Sequence, residues 1–165
     1  KIKNMRFCAI LVLVLLLACN NKNQEKEKPV NLTEEKLALM KVDAAFSDMS
    51  VKKGMKAAFM EYIDSNGVML RPGYTPLVGA GAIDYLLQSN DTGFTLSWKP
   101  QTAFVSSSAD MGYTYGIFAL APNKSDSITF GTYVSIWKKQ KDGKWKFVLD
   151  SGNEGLSENF NHPQP

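Results

Sequence analysis

The 165-residue chain carries 19 basic and 16 acidic residues, one histidine and two cysteines. The whole basic excess comes from Lys1, Lys3 and Arg6, so the chain downstream is formally neutral, which argues against a nucleic-acid footprint. The one histidine, His162, stands in a polar tail beside Pro163, too little for an ordinary zinc site or a Ser-His-Asp arrangement. No G-x-G-x-x-G or P-loop pattern signals a phosphate cradle, so neither a metal nor a cofactor is expected.

An unbroken apolar run over residues 7–18 follows the three N-terminal bases. It is too short to span a bilayer, which takes about 20 apolar residues as a helix. A basic start, a short apolar stretch and a small residue before the cut read as an export signal. Leu16-Leu17-Ala18-Cys19 resembles the lipobox of bacterial lipoproteins. The resemblance implies cleavage before Cys19, acylation of that residue, and a lipid-anchored protein of a bacterial cell envelope. Asn20 after the cysteine favours the outer membrane; the alternative is an ordinary signal peptide with an incidental cysteine. Cys8 leaves with the signal, so the folded part has neither a disulfide nor a thiolate site. Residues 19–32 then form a polar tether, with too little apolar content to fold.

Thr33 is the expected cap of a first helix, with Glu34 and Glu35 in its first turn. Leu39, Val42, Phe46 and Met49 recur at helical spacing and share a face. Ser50 is the expected cap of a second helix, lined by Val51, Met55, Phe59 and Tyr62 and stopped at Asn66-Gly67. A short strand over 68–70 and a third helix over 79–88 follow. Residues 94–98, 102–107, 111–121, 128–139 and 145–150 are rich in aromatic and β-branched residues and read as five strands. Asp142-Gly143 marks a hairpin between the last two. Short connections imply antiparallel neighbours, and helices set on one side of such a sheet define an α+β architecture. Gly112, Gly116 and Gly131 inside strands point to bulges or bends.

Three stretches resemble the nuclear transport factor 2-like superfamily, in particular its branch akin to small polyketide cyclases and ketosteroid isomerases. They are Leu96-Ser97-Trp98-Lys99-Pro100 leading into 108–116, Gly131-Thr132-Tyr133 with Trp137 and Asp142-Gly143-Lys144-Trp145, and the helix pair ending at Asp64. The resemblance spans residues 33–152 and leaves 153–165 as a tail. It implies a cone-shaped barrel of a strongly bent antiparallel sheet wrapped over three N-terminal helices, an apolar pocket, and frequent homodimers. It does not imply a reaction.

Ketosteroid isomerases work with a carboxylate base, a Tyr hydroxyl and a protonated Asp in an apolar pocket. Groups of that type here are Asp64, Asp150 and Tyr115; Asp64 and Asp150 read equally as turn and strand-end residues. Arg71, directly after a strand and before Pro72-Gly73, reads first as a solvated loop arginine and otherwise as a side chain turned into the pocket mouth to meet an anionic ligand. Trp98, Tyr113, Tyr115, Tyr133 and Trp137 are the expected aromatic walls, Tyr113 and Tyr115 sharing one strand face. Three readings follow, in this order. The first is a tethered module binding a small, largely apolar ligand. The second is an isomerase, dehydratase or cyclase with Asp64 or Asp150 as base and a tyrosine as donor. The third is a dimeric interaction module.

Overall fold

A computed structural model describes residues 30–124 and 126–156. The expected signal, Cys19, most of the tether and His162 lie outside the described residues.

Helix α1 is Leu32–Lys53. Its cap is Asn31, not Thr33: the Asn31 side chain accepts the N–H groups of Thr33 and Glu34 at 3.2 and 3.4 Å. Glu34 and Glu35 in the first turn and Lys52 and Lys53 in the last match the helix dipole. Ser50 caps nothing. It is buried in α1, its hydroxyl donating to the Leu96 carbonyl at 2.7 Å. The break comes instead at Gly54, whose φ of +90° suits glycine. Helix α2, Met55–Tyr62, is capped from a distance: the Lys56 N–H donates to Asp91 at 2.7 Å.

The chain passes from α2 straight into strand β1, Ile63–Leu70, so Asn66-Gly67 is not a helix stop. It belongs to an irregularity between Ile63 and Val68, where the register against the neighbouring strand shifts. Asp64 closes that bulge by accepting the Asn66 N–H at 2.9 Å. Strand β2, Leu77–Val78, too short to show in the sequence pattern, pairs back on β1. Helix α3 is Ala80–Gln88.

Four long strands complete the sheet: β3 Phe94–Val105, β4 Met111–Pro122, β5 Thr129–Lys139 and β6 Trp145–Leu156. The two strands expected on either side of Lys99-Pro100 are one. Its register slips between Pro100 and Thr102, and β3 is an edge strand, where a missing N–H is tolerated. Strand β6 runs past residue 152, the expected end of the domain. The order is β2-β1-β6-β5-β4-β3. Every pairing is antiparallel except β1 with β6, which is parallel, so the open sheet is mixed. A parallel neighbour requires a long crossover, and here everything from β2 to β5 supplies it.

The core lies between α1, α2 and the concave face of the sheet. Leu39, Phe46, Met69, Trp137 and Phe147 have at most 1% of their surface exposed. Phe46 meets five rings, those of Phe59, Tyr62, Trp98, Trp137 and Phe147, at centroid distances of 4.5 to 6.0 Å, within the range of favourable aromatic contact.

Candidate functional site: a largely apolar cavity

Alternation along the strands aims one row of each at the helices. On β3 that row is Phe94, Leu96 and Trp98; on β4 it is Phe118 and Leu120, standing opposite as the pairs Trp98–Phe118 and Leu96–Leu120. The facing wall comes from Met55 and Phe59 of α2, Met69 of β1 and Tyr85 of α3. Between them lies a cavity of about 280 Å³, near the lower limit of about 300 Å³ for small-molecule sites.

Polar groups gather where β1, β5 and β6 meet the cavity: Arg71, Tyr133, Asp150, Ser151 and Glu154. Met69 pairs with Asp150 across the parallel ladder, so Arg71 two residues on folds back onto β6. Its Nη2 donates to Asp150 Oδ1 at 2.6 Å, and its Nη1 to the Leu70 and Asp150 carbonyls at 2.9 and 3.3 Å. The guanidinium also lies 5.4 Å from the centre of the Phe59 ring. Ser135 donates to the second Asp150 oxygen at 2.7 Å.

Behind the aromatic wall sits Asp43 of α1, with none of its surface exposed. Trp98 Nε1 donates to its Oδ1 at 2.8 Å and the Tyr133 hydroxyl to its Oδ2 at 2.7 Å. Burial pushes the Asp43 carboxyl above the ordinary carboxylate range, against hydrogen bonds from Tyr133, Trp98 and Thr114 that favour the ionised form. Burial and the adjoining Asp43 push the Tyr133 phenol well up, which keeps its proton on the ring oxygen. Among the described residues every buried side-chain nitrogen and oxygen has a hydrogen-bond partner, and no three His, Cys, Asp or Glu side chains converge as a metal site would require.

Of the residues singled out in the sequence, Arg71, Trp98, Tyr133 and Asp150 are brought together around the cavity. Trp137 lies fully buried in the core, its indole N–H donating to Thr114 at 2.8 Å, and does not line the cavity. Tyr113 and Tyr115 do share a face, but it is the outer one, where they are 40% and 39% exposed. The inward positions of β4 beside them are Gly112, Thr114 and Gly116, so neither tyrosine reaches the cavity. Asp64 is also away from it, spending its second oxygen on Gln140 Nε2 at 3.0 Å.

Asp43 was missed, as were the apolar walls Phe94, Leu96, Phe118 and Leu120. The alternation of the walls is plain in the sequence; which face it favours is not. Asp43 had one signal. Asp43, Ser47 and Ser50 recur at steps of four and three, a polar row one residue off the apolar row, and α1 buries all three. Ser47 and Ser50 use it to hold β3, accepting the Trp98 N–H at 2.8 Å and donating to the Leu96 carbonyl.

No protein-family model matches the sequence, and no curated protein matches it. Solved structures do. A ketosteroid isomerase-like protein from Erwinia carotovora atroseptica superposes with a TM-score of 0.56 at 16% identity, covering 73% of this chain and 97% of that one. An NTF2-like protein with a cystatin-like fold from Novosphingobium aromaticivorans gives 0.58 at 15% identity, over 73% and 82%. A hexachlorocyclohexane dehydrochlorinase, LinA-type3, from Novosphingobium barchaimii gives 0.53 at 18% identity, over 78% and 94%. At such identities the likeness speaks to architecture, and the three helices against a bent, open sheet agree with it. The chain has the nuclear transport factor 2-like α+β cone fold that ketosteroid isomerase-like proteins share.

Proposed function

We propose that this domain is a binding module, presented at a membrane through Cys19, that holds one small, largely apolar molecule between α2, α3 and the concave sheet face. The observation that carries the reading is the division of the cavity. Its long walls are Met55, Phe59, Met69, Phe94, Leu96, Trp98, Phe118 and Leu120, and apart from Tyr85 its polar side chains come from the end of β1 and the adjoining strands β6 and β5. Apolar walls with a few convergent polar groups are the usual form of a small-molecule site. Arg71 and Asp150 are bonded to each other and Tyr133 to Asp43 behind the wall, which suits holding a ligand in place.

A second reading, proton transfer of the isomerase, dehydratase or cyclase kind, is favoured by one placement: Asp150 stands in the cavity wall. In that reading Asp150→Asn keeps the ligand and stops its conversion; conversion by the Asn variant would remove Asp150 as the base.

The test of the first reading is native mass spectrometry of the full-length protein extracted in detergent from membranes of the expressing cells. The expected spectrum shows an acylated chain and a discrete small-molecule adduct released by collisional activation. A bare chain would overturn the ligand reading, and an unacylated one the anchor.

A further inference from the structure

Resting on the reading that the cavity holds a small, largely apolar molecule, we propose that this molecule is an organic acid whose carboxylate is taken by the free edge of the Arg71 guanidinium. Apart from Arg6 every other base of the chain is a lysine, so the one arginine among the described residues stands in the cavity lining. A guanidinium carries five N–H donors in a fixed plane, and Arg71 spends three of them. Nη1 donates to the Leu70 and Asp150 carbonyls at 2.9 and 3.3 Å, and Nη2 to Asp150 Oδ1 at 2.6 Å. Because Nη1 and Nη2 both reach Asp150, the edge they share is occupied. The two donors left, Nε–H and the second hydrogen of Nη2, have no acceptor among the described residues. Planarity sets them parallel on one edge, the fork that matches the two oxygens of a carboxylate.

The fork is held before a ligand arrives. Ser135 donates to the second Asp150 oxygen at 2.7 Å, which fixes the carboxylate that in turn fixes Arg71, and the Phe59 ring lies 5.4 Å from the guanidinium. The Arg71 and Asp150 side chains are 18% and 10% exposed, so a charge-assisted pair formed here is only weakly screened. Phe59 also belongs to the apolar wall with Leu96 and Trp98, which sets the hydrocarbon body of an acid beside its own head group. Glu154, the other carboxylate of the lining, is exposed, and water screens its repulsion. A bound carboxylate displaces none of the existing hydrogen bonds.

The test is an NMR titration of the isotope-labelled full-length protein with four probes that share one apolar body: naphthoate, naphthamide, naphthalenemethylamine and methylnaphthalene. Naphthoate is expected to bind tightest, about tenfold above methylnaphthalene, the size of effect a charge-assisted hydrogen bond supplies, and to move the Arg71 Nε–H signal. Arg71→Lys, which keeps the charge and removes the fork, should cost naphthoate about tenfold and leave methylnaphthalene unchanged; the wild-type series decides the matter if that variant does not fold. Tightest binding by the amide, the amine or the hydrocarbon, or naphthoate binding that leaves the Arg71 Nε–H signal in place, would overturn the carboxylate assignment and leave the binding module standing. No shift of cavity-lining signals with any of the four would overturn both.

Discussion

Two ring donors from different strands converge on Asp43, a carboxylate with no exposed surface. Removing it orphans both. Each unpaired buried donor costs roughly 1–3 kcal/mol, so Asp43→Ala is expected to lose about 2–5 kcal/mol in urea unfolding. Loss of less than about 1 kcal/mol, within the range of an ordinary surface change, would contradict the network. The pH dependence has a definite sign. The folded-state pKa of Asp43 is raised by burial, so the folded protein binds this proton more tightly than the unfolded chain does. That contribution is complete below about pH 4, the ordinary carboxylate value, and is lost as pH rises through the folded value. Asp43→Asn removes it, so the urea midpoint of the wild type should fall relative to that of the Asn variant as pH rises from about 4; parallel curves would contradict the raised pKa. The polar row Asp43, Ser47, Ser50 is legible in the sequence. That it faces protein is not, because the partners Trp98 and Tyr133 lie 55 and 90 residues away.

Glycines decide how close the strands of the cone approach. Phe118 stands opposite Gly131 across the β4–β5 ladder, and a Cβ at Gly131 would come within 2.4 Å of the Phe118 ring and 2.2 Å of the Asn153 carbonyl. At Gly116 a Cβ would meet the Lys99 carbonyl at 2.1 Å, beside the slip in β3. Gly131→Ala is therefore expected to cost about 1–3 kcal/mol, as overpacking does, and to push Phe118 toward the cavity. Thermal unfolding and ligand affinity should fall together; an Ala variant with an unchanged Tm would refute the close approach. Sequence periodicity revealed the three helices, the long aromatic strands and the Asp142-Gly143 hairpin, where Gly143 takes a φ of +83°. It failed where a remote partner sets the boundary. Asp91 starts α2 from 35 residues downstream, and β4 carries β3 through Lys99-Pro100 by cross-strand pairing.

The cone has an inner face that carries the core and the cavity, and an exposed outer one. On the outer face Phe104, Tyr113, Tyr115 and Val134 are 36–50% exposed. They adjoin as the register pairs Phe104–Tyr113 and Tyr115–Val134, and the Phe104 and Tyr113 rings stack at 5.0 Å. We propose a second copy of the chain as the occupant, since four uncharged residues can meet their own images across a two-fold axis without repulsion. Sedimentation should show a dimer that Tyr115→Lys converts to a folded monomer; a monomeric wild type would contradict this. That aromatic strands alternate was legible, but the choice of face was not, because β4 alternates aromatic residues with glycine and threonine and either row could have faced inward. The account as a whole rests on the cavity accepting an apolar molecule. The most direct test is a fluorescence titration with N-phenyl-1-naphthylamine, which brightens in apolar surroundings. It compares the wild type with Leu96→Trp, a substitution that fills the space between β3 and α2. Saturable enhancement at one probe per chain, lost in the Trp variant, is the predicted result; no enhancement, or enhancement indifferent to Leu96→Trp, would contradict it.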